Sequence, residues 1–219
     1  MIIQQSNMHT FRKTSGSVAR AILAALVAGW IAAGSVLPAR AQPATYTFDR
    51  QHTNVTFSWN HLGLSRQSGR ILDVDGSLVF DAANPEDSKL EVAMKAASIV
   101  TGVIELDRHL KSPDFFDAAR NPLITFKSMT VKKTGEKTGE VTGDLTILGI
   151  SKPVVLQVTL NFDGEHPLGP VNALYKDKFV AGFSAKARLS RSEWGLSRAT
   201  PLVSDEIEIS IETELNRKP

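Results

Sequence analysis

An all-β domain of about eight antiparallel strands, with one short helix inserted between the third and fourth, is the fold class that the sequence predicts. Three observations carry it. Apolar and polar residues alternate with a period of two along most of the chain, turn-forming clusters separate the alternating runs, and a single segment has the period of a helix instead.

Thr53–Trp59 is the first strand, with Val55, Phe57 and Trp59 on one side and Asn54, Thr56 and Ser58 on the other. Such alternation marks a strand with one wet face. Arg70–Phe80 is the second and Lys89–Lys95 the third, where Leu90, Val92 and Met94 oppose Lys89, Glu91 and Lys95. Next, Val103, Leu106 and Leu110 fall at i, i+3 and i+7, separated by Glu105, Asp107, Arg108 and Lys111, which predicts a short amphipathic helix. Ser112-Pro113-Asp114 has the composition of a second helical start, ended by Asn121-Pro122. Leu123–Met129, Val141–Ile147, Val154–Leu160 and Lys178–Leu189 continue the strands, and Glu206–Leu215 is the clearest of them, alternating Ile207, Ile209, Ile211, Thr213 and Leu215 with Glu and Ser. The polar stretch 134–140 and Gly149-Ile150-Ser151-Lys152-Pro153 read as hairpin turns.

Eight such strands close into a barrel or split into a sandwich, and the pattern alone favours neither. Ala181, Ala185 and Ala187 on the apolar face of the seventh strand, and Gly143 on the fifth, are compatible with a hollow barrel and equally with small residues facing large ones across a filled core.

The chain has 219 residues and no Cys, which excludes disulfide scaffolds, thiol nucleophiles and thiolate metal sites. Its net charge of +2 arises from residues 1–41, which contain Arg12, Lys13, Arg20 and Arg40 and no acid. The remainder carries 21 basic and 23 acidic residues, so no nucleic-acid partner is expected. A basic region to Arg20, an apolar run Ala21–Val36 and the triplet Ala39-Arg40-Ala41 read as a secretory signal peptide cleaved after Ala41, because the run is shorter than the ~20 residues that span a bilayer. The expected product is one periplasmic domain, residues 42–219, without stable membrane insertion.

Catalytic motifs are missing from the sequence. Gly63-Leu64-Ser65-Arg66-Gln67 and Gly195-Leu196-Ser197-Arg198-Ala199 lack the second Gly of a nucleophile elbow, and no zincin, P-loop or dinucleotide motif occurs. His52, His61, His109 and His166 form no chelating pair, so neither a metal nor a cofactor is expected. Asp73 and Asp75 lack further acidic ligands and read as a turn leading to Gly76. His109, among Asp107, Arg108 and Lys111, reads either as part of a solvated helix face or as a polar group closing a pocket.

The run Asp107-Arg108-His109-Leu110-Lys111-Ser112-Pro113-Asp114-Phe115-Phe116-Asp117, followed by Asn121-Pro122 and Ile124-Thr125-Phe126-Lys127-Ser128, closely resembles the signature of the YceI family of secreted bacterial proteins. His61-Leu62-Gly63, Asp75-Gly76-Ser77-Leu78-Val79-Phe80-Asp81, Gly143-Asp144-Leu145-Thr146-Ile147, Gly182-Phe183-Ser184-Ala185, Ser190-Arg191 and Trp194-Gly195 follow the family's order. Ile71 departs from it, standing where an aromatic residue is usual.

The resemblance implies an eight-stranded antiparallel lipocalin-like β-barrel. Within it, a long-chain isoprenoid, isoprenoid quinone or fatty-acyl lipid is the implied ligand, bound without catalysis, and a homodimer is compatible with the same picture. The candidate wall is Phe57, Trp59, Leu78, Phe80, Val92, Met94, Phe126, Phe183 and Leu189, with Leu106, Leu110, Phe115 and Phe116 as lid. For a polar head group, Arg108, His109 and Lys111 form the nearest dense donor set, with Arg191 second. The competing expectations are an envelope-stress interaction module with a filled core and a lipid-acting enzyme using His109 with Asp107 or Asp114.

Overall fold

The computed structural model describes residues 43–219, and the expected signal peptide lies outside them. Eleven strands are formed: β1 (Ala44–Phe48), β2 (Asn54–His61), β3 (Ser65–Ile71), β4 (Val74–Phe80), β5 (Lys89–Lys95), β6 (Ile99–Val100), β7 (Leu123–Lys133), β8 (Thr138–Ile147), β9 (Ile150–Glu165), β10 (Phe179–Ser190) and β11 (Glu206–Arg217). The helix α1 covers Ile104–Lys111. Among the described residues no helix is long and apolar enough to cross a membrane.

All pairings are antiparallel, and the ring β1-β4-β5-β7-β8-β9-β10-β11 closes where β11 returns to β1. The three remaining segments extend the same staves. β2 joins β11 beside β1, β3 pairs with β2, and β6 pairs with β3. Three staves are therefore each broken once, and the barrel is eight staves around.

Each break has a local cause. The Asp49 carboxylate accepts from the Gln51 N–H at 2.9 Å, and its carbonyl accepts from the Thr53 hydroxyl at 2.7 Å, a turn of the kind Asp favours, which separates β1 from β2. Leu72 and Asp73 divide β3 from β4, and the 3-10 turn Ala96–Ser98 divides β5 from β6. The helix consequently follows the sixth strand instead of lying between a third and a fourth, because Arg70–Phe80 reads in the sequence as one strand and the two residues of β6 are too few to show an alternation. Short β1, beside the expected cleavage site, also escaped the alternation.

Two turn readings are corrected. Asp75-Gly76 lies inside β4, where Gly76 holds φ +156° and a Cβ would collide with the Glu91 carbonyl of the neighbouring strand. Ser112 does not start a second helix. It ends α1 by donating its N–H and its hydroxyl to the His109 carbonyl, at 3.1 and 2.7 Å, and residues 113–120 follow as turns.

Inward-facing side chains form two buried groups. The larger contains Val55, Ile71, Met94, Ile99, Phe126 and Trp194, and the smaller gathers Tyr46, Phe80, Ala181 and Leu215 where β1 meets β11. Tyr46, Phe80 and Phe183 meet edge to face, with centroids 6.3 and 5.5 Å apart, the arrangement ring quadrupoles prefer. The Phe126 ring covers Gly143 and the Phe57 ring covers Gly69.

A Cβ at position 143 would stand 2.5 Å from both the Lys127 carbonyl oxygen and Phe126. Gly143→Ala should therefore cost about 2 kcal/mol and lower Tm by roughly 4–8 °C, read by calorimetry. The Tyr46 hydroxyl donates to Asp163 at 3.1 Å, and burial together with that carboxylate pushes its pKa up to about 12. The unfolded phenol ionises near 10, so stability should hold below pH ~10 and fall by about 2–3 kcal/mol as pH rises toward 12, a loss that Tyr46→Phe abolishes.

Candidate functional site

The alternation that builds each stave sends one set of side chains into the barrel, where they enclose a cavity of about 710 Å3. That volume is typical of a site for one small ligand. Lining positions on β8 run from Thr138 to Ile147. At strand rise and barrel tilt this is roughly 20 Å along the axis, so the cavity follows the barrel's length.

Of the residues singled out in the sequence, Phe57, Trp59, Leu78, Phe80, Val92, Met94, Phe126, Phe183 and Leu189 line its wall. Leu106, His109, Leu110, Phe115 and Phe116 line one end, where α1 and its following turn lie across the barrel. Ala185 and Ala187 also face the cavity, whereas Ala181 does not line it and is buried beside Tyr46.

The expected head-group donors are not brought together. Arg108 and Lys111 share the outer face of α1 with Ile104 and Asp107. Arg108 pairs there with Glu105, and its side chain is 79 % exposed. The reason is helical phase: 104, 108 and 111 share one face, and 106, 109 and 110 the other. Asp107 turns back to the segment before the helix, accepting from the Thr101 N–H at 2.5 Å and hydroxyl at 2.6 Å, and the hydroxyl bond holds its pKa below the ordinary value.

Arg191 touches the cavity with an already committed guanidinium. It donates to the carbonyls of Ser204 at 3.0 Å, Val203 at 3.1 Å, and Leu196. Burial pulls its pKa down, opposed by Asp205. Beside it, the Trp194 indole donates to the Leu145 carbonyl at 3.1 Å. Arg191 thus folds the 191–205 segment on itself, and Trp194 pins it to β8.

Of the donors expected on α1, His109 stays at the cavity. Its ring meets Phe115 edge to face at 5.0 Å, and its Nε2 lies 3.4 Å from Asp114. Asp114 also accepts from Arg198 at 2.9 Å, so a polar latch joins the turn after α1 to the loop after Trp194. Sequence inspection missed this latch, since 84 residues separate its partners and no local pattern announces the pairing. It also passed over the lining residues Leu145, Leu156, Ile209 and Ile211, which the alternation had put on the dry faces. Asp49, His52 and Glu214 bring ligand atoms within 4.8 Å of one another on the outer surface, away from the cavity lining and with His52 already hydrogen-bonded to Asp49 at 2.9 Å.

A closed antiparallel barrel with an apolar interior and a helix across one end defines a class, the hollow lipocalin-like barrels. Within that class the chain belongs to the YceI family, since the YceI-like domain model matches residues 46–215. It is 40 % identical over 177 residues to a UPF0312 protein of Pseudomonas savastanoi, covering 80 % of this chain and 88 % of that one. To a UPF0312 protein of Azotobacter vinelandii it is 37 % identical over 194 residues, with 88 % and 95 % covered. Among solved structures, the YceI protein of Campylobacter jejuni superposes with a TM-score of 0.65 at 33 % identity, over 73 % of this chain and 90 % of that one. BcnA of Burkholderia cenocepacia gives a TM-score of 0.67 at 22 % identity, with 76 % and 98 % covered. A polyisoprenoid binding domain from Saccharophagus degradans implicated in plant cell wall breakdown gives 0.58 at 10 % identity, with 81 % and 100 % covered.

Removing the Arg191 guanidinium leaves three carbonyls without their donor. Arg191→Met should therefore cost about 3 kcal/mol in chemical denaturation while leaving ligand affinity at low temperature close to that of the parent. A head-group role would produce the opposite split.

Proposed function

We propose that the protein binds a long apolar lipid of the polyisoprenoid, isoprenoid-quinone or fatty-acyl type in its barrel, carrying or storing it in the periplasm without breaking a bond. The observation that carries this reading is the cavity itself, about 710 Å3 and walled along its length by aromatic and aliphatic side chains. Burial of an apolar chain there supplies roughly 25 cal/mol per Å2, less the cost of ordering the chain. The binding named for the Saccharophagus degradans domain of the same fold supports the polyisoprenoid class. Periplasmic placement rests on the N-terminal segment, whose basic, apolar and small-residue regions have the order of a signal peptide. A non-catalytic role fits the site, where His109 and Asp114 face each other half-exposed beside an apolar wall.

Native mass spectrometry of the detergent-free protein, followed by organic extraction, should reveal one apolar adduct per chain. Leu106→Asp places a charge on the lid's inner face and should reduce uptake of a fluorescent isoprenoid at least tenfold, roughly the effect of charging a buried apolar contact. The far-ultraviolet circular dichroism should be unchanged. An empty parent that also refuses added isoprenoids and fatty acids would overturn the reading.

A further inference from the structure

Three leucines stand outward at the end of the barrel that α1 covers. Leu64 is 81 % exposed, Leu202 65 % and Leu62 47 %. They belong to two loops held together, since the Leu62 N–H donates to the Leu202 carbonyl at 2.9 Å and His61 bridges to Val203. Leu62 keeps a φ of 58°, a left-handed conformation that a bulky side chain adopts at a cost.

Their positions continue the cavity. His61, Val203 and Ala199 line it, so apolar surface passes from the interior over the rim to the outer leucines. The two leucine-bearing loops themselves are basic: residues 60–66 and 194–204 contain Arg66 and Arg198 and no acid. Arg66 and Arg198 pair with Glu208 and Asp114 from neighbouring elements, yet both guanidinium side chains remain more than half exposed. A second set of exposed apolar residues, Leu168, Val171 and Leu174, lies on the β9–β10 loop, but no residue from 161 to 182 lines the cavity.

We propose that this end of the barrel docks on a bilayer bearing anionic head groups. Leu62, Leu64 and Leu202 enter the acyl region, and Arg66 and Arg198 meet the phosphates. Cargo then passes between bilayer and cavity without crossing water. Arg198 gives docking a means of opening the lid, since a phosphate that draws it from Asp114 releases the turn following α1. The proposal rests on the reading of the cavity as a lipid site.

The test is flotation of the detergent-free protein with vesicles of phosphatidylethanolamine and phosphatidylglycerol, against phosphatidylcholine alone. The parent should float with the anionic vesicles. The double variant Leu64→Asp/Leu202→Asp, altered only at exposed positions outside the cavity lining, should bind them at least about tenfold more weakly. It should still capture a fluorescent fatty acid from solution, which shows that barrel and cavity are intact. Equal flotation of variant and parent, or a parent that stays in solution, overturns the proposal; a parent that stays in solution as a dimer and a variant that is monomeric would give the leucines to a second copy. A parent that floats but captures no probe retains the docking surface and loses the cavity reading.

Discussion

Closure through β11 is the constraint on which the rest depends. This strand pairs along one edge with β10 and along the other with both β1 and β2, so one segment satisfies the backbone of three others. A sheet without edges is held by its ladder and by cross-strand contacts. Its centre can remain hollow because wall cohesion does not require the two sides of the barrel to touch. A sandwich built from the same alternating strands would have to fill that space, and the residues that now face the cavity would form its core.

The ends solve a different problem from the wall. Apolar residues alternating along strands build a tube, but a tube needs covers, and here these are made from non-repetitive sequence. At the α1 end, Arg191 donates to carbonyls of the loop it starts, and Trp194 donates to the Leu145 carbonyl of β8. The result is a rigid loop opposite a lid tied to it mainly by the exposed group of Asp114, His109 and Arg198. Exposed ion pairs contribute little, about 0–1 kcal/mol each, so the strong anchoring lies on one side of the opening and the weak anchoring on the other.

This division explains how much the sequence disclosed. The strands were legible because burial on one face imposes a period of two, and the wall residues Phe57, Trp59, Phe126 and Leu189 followed from it together with the family resemblance. The break between β3 and β4 was not read, since Arg70–Phe80 is apolar enough to pass for one strand, although the inward set shifts from Ile71 to Val74 across Leu72 and Asp73. Arg108 and Lys111 were misplaced because composition marks a cluster of donors without reporting its phase around α1. Arg191 was misread for a related reason: a buried arginine beside a cavity has the same letter whether it faces a ligand or three backbone carbonyls.

The two aromatic rings that lie over glycines have a consequence for the width of the interior. Phe57 and Phe126 can lie close to the wall because Gly69 and Gly143 offer no side chain beneath them. Any residue larger than glycine at either place would tip its ring toward the barrel axis and narrow the bore at that level. These two glycines therefore act as a gauge, fixing by what they lack the thickness of chain the barrel admits. A homologue could change the calibre of its bore by altering a single position that does not line it.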